Sequence, residues 1–205
     1  MGDIKIFDIN DIKTKFNLKT FFETGTLYGD TVDYYKNTFE QLFTVEIDKD
    51  LATSAIQRFK STSNINVYWG SSVQGLKDLL PTISTNILFW LDAHFPGADA
   101  HKVSYDAEKD QDTRLPLEKE LHTILELRPE NKDVIIIDDL WLYEDGPFEW
   151  GSFDNHMKSI GSTVTRESLG VKNSDFIYDL IKGRYEYKKD YHHQGYLIIY
   201  PKANI

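Results

Sequence analysis

The chain contains the stretch Thr20-Phe21-Phe22-Glu23-Thr24-Gly25-Thr26-Leu27-Tyr28-Gly29-Asp30-Thr31, in which an apolar segment meets an acid and a pair of glycines. A helical pattern follows, and a second apolar segment, 42–47, contains the acid Glu46 near its end. A glycine turn lets the backbone come close to a ligand where a side chain would collide. An acid at the end of the second strand can accept hydrogen bonds from ribose hydroxyls, as in dinucleotide sites. The sequence therefore predicts a nucleoside-containing cofactor at the carboxyl edge of a parallel sheet.

The order of the acid and the glycines distinguishes two classes of cofactor. A dinucleotide fingerprint reads G-x-G-x-x-G and packs a pyrophosphate against a helix N-terminus. Here the order is E-x-G-x-x-x-G, with Glu23 where the first glycine would lie. A carboxylate at that position would repel a pyrophosphate, whereas it suits a ligand that carries positive charge. The alternative interpretation is an ordinary strand–turn–helix with an exposed acid.

In these motifs the chain resembles the class I S-adenosylmethionine-dependent methyltransferases. Their first motif is an acid followed by G-x-x-x-G, and their second strand ends in an acid that holds the ribose. The resemblance implies that S-adenosylmethionine is the cofactor. The cofactor-binding residues that it implies are Glu23 and Gly25 beside the methionine part, Thr26 and Gly29 in the same motif, Glu46 at the ribose, the adjacent Ile47, and Asp92 after the fourth predicted strand.

Length and composition are those of a globular protein. The 205 residues are enough for one domain, 1–205, with a three-layer core. Hydrophobic residues make up 40% of the chain and charged residues 27%, which argues against global disorder. The absence of cysteine excludes disulfides, thiolate nucleophiles and zinc–thiolate sites.

The charge balance and the apolar runs bear on partners and location. The chain has 33 acids against 23 bases, a formal net charge of -10, whereas nucleic-acid binding relies on clustered Lys and Arg. The first residues lack the apolar core of a signal peptide, and no apolar run approaches the roughly 20 residues that span a bilayer. We therefore expect a soluble, cytoplasmic protein without a nucleic-acid or membrane partner.

Strand and helix patterns alternate along the chain, which predicts a doubly wound, mostly parallel Rossmann-like α/β sheet. Residues 184–188 and 195–200 flank a polar segment and predict a C-terminal antiparallel hairpin, which the class I methyltransferases also have. The predicted strands before it are 20–23, 42–47, 65–69, 86–91 and 133–137, and the predicted helices are 9–17, 31–39, 49–60, 72–80 and 116–128.

Polar residues follow the third predicted strand. In the family that this chain resembles, an acid at this position bonds the adenine amino group, whereas here Ser71 and Ser72 follow Gly70. A serine hydroxyl can bond an adenine edge, so both serines are candidate cofactor contacts. The alternative is a helix N-cap, and the two roles can coexist.

Three carboxylates and a histidine follow strands four and five. Strand four leads to Asp92 and His94, and strand five leads to Asp138 and Asp139. Carboxylates that lie close together repel one another unless a cation or a proton compensates. Oxygen ligands of this kind suit Mg²⁺ or another divalent cation, and a histidine beside them suits a general base. The sequence therefore predicts a metal held by Asp92, Asp138 and Asp139, with His94 as the base and Asp92 at the catalytic centre.

This constellation resembles the metal-dependent, macrocin-type sugar O-methyltransferases, and the Leu91-Asp92-Ala93-His94 stretch resembles small glycan-associated methyltransferases. The macrocin-type enzymes separate the acid and the histidine by three residues, whereas Asp92 and His94 lie two apart. The resemblance implies O-methylation of a sugar hydroxyl on a glycan or a glycosylated small molecule. A catechol-type small-molecule methyltransferase, another nucleotide-using enzyme and a non-catalytic cofactor-binding module stay open as alternatives.

A polar loop and a group of aromatic residues are candidates for the acceptor side. Residues 95–115 form a long connection of the kind that often acts as a lid, and Arg114 near its end is expected to pair with a surface acid. Trp141 and Tyr143 are candidates for contact with the carbohydrate or small-molecule acceptor, although plain hydrophobic packing is the alternative. The aromatic region after residue 140 is also a candidate interface in a homo-oligomer.

Overall fold

The computed structural model describes residues 3–130 and 132–202, and these form a three-layer α/β fold. The strands are β1 (Leu18–Thr24), β2 (Gln41–Glu46), β3 (Ile65–Trp69), β4 (Asn86–Leu91), β5 (Val134–Ile137), β6 (Tyr185–Asp190) and β7 (Tyr196–Pro201). The α-helices are α1 (Ile9–Phe16), α2 (Asp30–Tyr35), α3 (Lys49–Phe59), α4 (Ser72–Leu79), α5 (Gln111–Arg114), α6 (Leu117–Leu127), α7 (Phe153–Ser159) and α8 (Asp175–Ile181). Short 3₁₀ helices cover Ile4–Ile6, Leu80–Thr82 and Leu140–Leu142.

The strands form one sheet in the order β3-β2-β1-β4-β5-β7-β6. Strands β1 to β5 are parallel to one another, and β7 lies antiparallel between β5 and β6. The predicted doubly wound sheet with a C-terminal antiparallel hairpin is therefore confirmed. Because β1 is central, the acid and the glycines at its carboxyl end lie in the middle of the carboxyl edge of the sheet.

Both faces of the sheet are covered by helices, which explains why the central strands are apolar at successive positions. Phe21 and Phe22 are adjacent in β1 and point to opposite faces. On one face Phe21 packs against Tyr35 of α2, with ring centroids 5.6 Å apart. On the other face Phe22 packs against Phe89 of β4 at 5.7 Å, in a cluster that also contains residues of α4 and α6.

The predicted bounds hold best for two of the parallel strands. The predicted third and fourth strands match β3 and β4, whereas the predicted helix 31–39 ends early, at Tyr35. The seven-residue helices α7 and α8 were not predicted, because each shows too short an apolar pattern to be recognised. The longest helices, α3 and α6, have 11 residues each, and no helix in the described ranges is long and apolar enough to cross a membrane.

Candidate active site

A cavity of about 320 Å³ lies at the carboxyl edge of the sheet, beside the ends of β1, β2 and β4. The chain leaves β1 towards β2 on one side and later adds β4 on the other side. Open α/β sheets bind ligands at this kind of topological switch point. The predicted site residues that line the cavity are Gly25, Glu46, Ile47, Ser71, Ser72, Asp92 and His94.

The turn after β1 needs glycine because two strand ends meet there. Gly25 has a φ of +86°, and a Cβ on it would lie 2.7 Å from the carbonyl oxygen of Asp92. Its backbone N–H donates to the carbonyl of Val45, at 3.0 Å. The glycine therefore permits a close approach of β1, β2 and β4 to one another, and the cavity forms beside that contact.

Three residues of the predicted cofactor motif support this turn from behind. Glu23 is 2% exposed and accepts a hydrogen bond from the Thr44 hydroxyl, at 2.7 Å, and that hydroxyl lies 2.6 Å from the hydroxyl of Thr26. A Cβ on Gly29, whose φ is +79°, would lie 2.7 Å from the Phe59 ring. In the described part of the chain the cavity lining does not include these three residues, so direct cofactor contact by Glu23, Thr26 and Gly29 stays a prediction.

Burial of the Glu23 carboxyl links stability to pH. Burial, partly offset by Thr44, raises its pKa from 4.5 to about 8, so the folded state binds this proton more tightly than the unfolded state. The stabilisation is fully present below the unfolded pKa and is lost as pH rises through the folded pKa. We expect Glu23→Gln to be about 2–4 kcal/mol more stable relative to the wild type at about pH 9 than at about pH 5.

This prediction is checked by urea unfolding of both proteins at the two pH values. The matched control is Glu126→Gln, which removes the same charge from an exposed position of α6. An equal pH dependence in the wild type and Glu23→Gln would contradict the prediction.

Glu46 holds two segments of the cavity wall together. Its two carboxylate oxygens accept from the backbone N–H of Leu27, at 2.8 Å, and from that of Asp48, at 2.9 Å. The residue is 7% exposed, and burial raises the pKa of its carboxyl. Each oxygen keeps a further lone pair for a ligand hydroxyl. Ile47 follows on the cavity wall with 37% of its surface exposed, an apolar surface next to the acid.

Ser71 and Ser72 lie at the cavity wall where α4 begins. The Ser71 hydroxyl accepts from the backbone N–H of Gln74, at 3.3 Å, so the N-cap that was the alternative interpretation is present. Ser72 is buried. Burial raises the pKa of the Glu120 carboxyl to about 7, and a hydrogen bond with the Ser72 hydroxyl offsets part of this rise. Both serines line the cavity as well, so capping and ligand contact are compatible.

His94 is held between carboxylates at the end of β4. Its Nδ1 donates to the backbone carbonyl of Asp92, at 3.0 Å, and its Nε2 bonds the carboxylate of Asp139. Burial lowers the pKa of His94, but the charges of Asp139 and Asp92 outweigh burial and raise it well above its usual range. The imidazole is therefore held as an imidazolium, and it can act as a base only after it has lost that proton.

The carboxylates around His94 are crowded, as the sequence predicts. Burial and the neighbouring Asp138 raise the pKa of Asp92, and burial and the neighbouring Asp139 raise that of Asp138 to about 7. Asp138 Oδ2 and Asp139 Oδ1 are buried and have no hydrogen-bond partner among the described residues. Free carboxylate oxygens are ligands that a hard divalent cation accepts. Residues 3–130 and 132–202 nevertheless contain no ready group of three metal-ligating side chains.

Trp141 and Tyr143 pack in the interior. Trp141 is 5% exposed, and its ring lies 5.8 Å from that of Phe153. Tyr143 is 7% exposed, contacts Phe176 edge-on at 5.9 Å, and lines a small void of about 10 Å³ behind the carboxylates. Within the described ranges neither ring lines the 320 Å³ cavity, so acceptor contact stays a prediction for both.

The 95–115 loop covers one side of the cavity and is anchored at three points. The backbone N–H of Phe95 donates to the carbonyl of Arg114, at 2.9 Å, which joins the two ends of the loop. The Arg114 side chain is 8% exposed and donates to the carbonyl of Leu169, so the prediction that it pairs with a surface acid is wrong. From the middle of the loop, Lys102 Nζ bonds Oδ1 of Asp48, the N-cap residue of α3, at 2.8 Å.

The Lys102–Asp48 ion pair should lower the rate at which this loop opens locally. We expect Lys102→Ala to exchange backbone amides of residues 96–108 about two- to fivefold faster, because an exposed ion pair contributes a small free energy to local closure. Hydrogen–deuterium exchange measures this directly. The control is Lys109→Ala, since Lys109 contacts Asp106 within the same loop. Unchanged exchange in Lys102→Ala would mean that other contacts close the loop.

The structure adds residues that the sequence does not identify as part of the site. Glu120 faces the small void behind His94 and is 1% exposed. The sequence gives one weak indication of Glu120: it is an acid on the otherwise apolar face of the predicted helix 116–128, and a buried acid often has a functional role. Asp99 and Lys102 lie in a polar loop without a periodic pattern, so their positions depend on tertiary contacts.

Solved structures show the same fold at low sequence identity. A presumed caffeoyl-CoA O-methyltransferase from Staphylococcus aureus has 14% identity and a TM-score of 0.63, with 98% of this chain and 85% of that chain covered. The SAH-bound methyltransferase PaMTH1 from Podospora anserina has 15% identity and a TM-score of 0.59, with 95% and 76% covered. The SAM complex of the O-methyltransferase TomG from Streptomyces achromogenes has 14% identity and a TM-score of 0.54, with 95% and 78% covered.

These similarities establish the fold, since the identities are too low to carry more. Neither the comparison with protein-family models nor that with curated proteins returned a match. The predicted class I methyltransferase fold is therefore confirmed over nearly the whole chain, and the activity has to be argued from the site itself.

Proposed function

We propose that this chain is an S-adenosylmethionine-dependent O-methyltransferase whose acceptor is a sugar hydroxyl of a glycan or a glycosylated small molecule. The observation that carries the proposal is the cavity at the β1/β4 switch point, which is lined by both Gly25 and Glu46. An acid at the end of β2 and a glycine turn at the end of β1 meet there, an arrangement that suits a nucleoside-containing cofactor. The SAM and SAH complexes among the structural neighbours support the choice of cofactor.

In this proposal the cofactor spans the cavity along the carboxyl edge. Glu46 would accept hydrogen bonds from the ribose hydroxyls with its remaining lone pairs, and Ile47 would contact the adenine. Ser71 and Ser72 would bond the adenine edge. The methionine part would lie at the Gly25 turn, which lines the cavity.

The proposed reaction forms a C–O bond and breaks the C–S bond of the sulfonium, whose electron pair stays on sulfur. The acceptor hydroxyl loses its proton as its oxygen attacks, and we assign this proton to His94. Asp139 orients the ring through Nε2, and the carbonyl of Asp92 fixes Nδ1. For His94 to accept this proton, its Nε2 proton would first pass to the Asp139 carboxylate, and the acceptor hydroxyl would then take the place of Asp139 at Nε2.

The proposal includes a divalent cation such as Mg²⁺ held by Asp92, Asp138 and Asp139. Its support is the pair of buried oxygens on Asp138 and Asp139 that have no partner among the described residues. Since those residues form no ready group of three ligands, a cation would have to draw the carboxylates together. When bound, the cation would lower the pKa of the acceptor hydroxyl.

A small-molecule, catechol-type acceptor is the second candidate. The observation that favours it is the burial of Trp141 and Tyr143, which leaves no aromatic platform for a sugar on these two residues at the described cavity. One structural neighbour is described as a presumed caffeoyl-CoA O-methyltransferase, which has an aromatic acceptor in its name. Turnover of aromatic diols without turnover of sugars would favour this candidate.

Calorimetric titration of S-adenosylmethionine tests the cofactor assignment. We expect saturable binding by the wild type and binding about tenfold or more weaker in Glu46→Gln, because an amide offers the ribose fewer acceptors and cannot bond both backbone N–H groups. The control is Glu40→Gln, an exposed acid just before β2. The titration is run with Mg²⁺ and then with a chelator. Absence of binding under both conditions would contradict the proposal.

Replacement of His94 tests the catalytic assignment. We expect His94→Ala to lower turnover about 10²–10⁴-fold, with cofactor affinity within about twofold of the wild type, because the imidazole acts on the acceptor proton. The measurements are methyl transfer to a sugar or diol panel and cofactor titration. His122→Ala, on the exposed face of α6, is the control. Loss of cofactor binding in His94→Ala would remove His94 from the catalytic role.

A further inference from the structure

The wall of the 320 Å³ cavity carries an excess of negative charge. Its described lining has two cationic side chains, His94 and Lys119. The carboxylates in the same lining are Glu46, Asp92, Asp99, Asp110 and Asp112. A partly enclosed cavity with one sign of charge concentrates the potential inside it, so the charge of a ligand affects its affinity there.

Most of these charges already have partners. Lys119 Nζ pairs with Asp112 at 2.6 Å, and His94 pairs with Asp139. Asp110 caps α5 and accepts from the backbone N–H of Asp112, at 3.1 Å. Within the described ranges, the two cations of the lining are therefore committed to carboxylates and leave no positive charge free to meet an anionic ligand.

Asp99 differs from the other acids of the lining, which lie beside a cation or accept hydrogen bonds from backbone N–H groups. Its carboxylate accepts a hydrogen bond from the neutral hydroxyl of Tyr105, at 3.2 Å, and no cation pairs with it in the part of the chain that the structure describes. Asp99 lines the same cavity as Asp92 and His94, beside which methyl transfer would take place. Asp99 is thus a negative charge on this wall that no cation of the described residues pairs with.

A second observation points to missing positive charge beside Asp92 and His94. Asp138 Oδ2 and Asp139 Oδ1 lack a partner among the described residues, and these two residues are 4% and 8% exposed. They line the small void that shares Asp92 and His94 with the cavity. Buried anionic oxygens without a partner are costly, and a cationic ligand group nearby would offset part of that cost.

We infer that the cavity selects the sulfonium form of the cofactor over its thioether product by charge, with Asp99 as the specificity-determining residue. This inference rests on the proposed function. S-adenosylmethionine has a net positive charge, since its sulfonium adds to an ammonium and a carboxylate that cancel. Methyl transfer leaves the electron pair on sulfur, so S-adenosylhomocysteine has no net charge. The product therefore loses the attraction that holds the cofactor, which favours its release.

Calorimetry with three ligands tests the inference, with a chelator present throughout. The ligands are S-adenosylmethionine, S-adenosylhomocysteine and sinefungin, in which a protonated amine replaces the sulfonium. We expect the wild type to bind both cationic ligands about tenfold more tightly than S-adenosylhomocysteine, with a smaller difference at high salt. Asp99→Asn should weaken both cationic ligands about three- to tenfold and leave S-adenosylhomocysteine within about twofold.

The matched control is Asp106→Asn, which removes the same charge from the same loop outside the cavity lining. Asp106 contacts Ser104 and Lys109 and should leave all three affinities unchanged. Equal affinities of the wild type for S-adenosylmethionine and its product would overturn the inference. An equal loss for all three ligands in Asp99→Asn, or the same pattern in Asp106→Asn, would also overturn it. Failure of the wild type to bind any of the three would instead contradict the proposed function.

Discussion

The close approach of Gly25 to the carbonyl oxygen of Asp92 is the contact on which the site depends. A Cβ on Gly25 would lie 2.7 Å from that oxygen, so no other residue fits without separating the ends of β1 and β4. This contact brings the turn after β1 next to the residues that carry His94. The cofactor half and the catalytic half of the proposed site therefore share one backbone contact, although their residues lie far apart in the sequence.

Around this contact, electrostatics decides what the site can bind. Three carboxylates meet at the ends of β4 and β5, and the structure compensates them with the His94 imidazolium and with protons, as the raised pKa values of Asp92 and Asp138 indicate. Either kind of compensation can be exchanged for a cation from outside. Both proposed cations, a divalent metal and the sulfonium of the cofactor, would thus take over part of this compensation.

Local patterns predicted the sheet well, because strands buried on both faces contain nearly continuous apolar runs. The 86–91 segment is an example. The acids Asp92, Asp138 and Asp139 come directly after this strand and after β5, its neighbour in the sheet. The glycine turn was recognisable too, although the nearby Asp92 carbonyl, and not only a ligand, explains why Gly25 has to be glycine.

The sequence leaves a residue's role open where several tertiary roles suit the same residue type. Trp141 lies just after strand-end acids, and only its packing partners reveal that it belongs to the core. Arg114 is a long polar residue in a polar loop, and only the distant carbonyl of Leu169 explains why it is buried. The sequence pattern also gives no protonation state for His94, since that depends on carboxylates from two strands.

The hydrogen bond between Phe95 and Arg114 joins the two ends of the 95–115 loop, so the loop leaves and rejoins the rest of the protein at one place. Because its two ends are joined, the residues between them can change in length and composition without a shift of β4 or α6. The part of the cavity wall that the loop supplies can therefore diverge independently of the sheet edge that holds Gly25 and Glu46. Such a modular wall lets one scaffold change the loop side of the cavity, which includes Asp99, while the sheet edge with Gly25 and Glu46 stays the same.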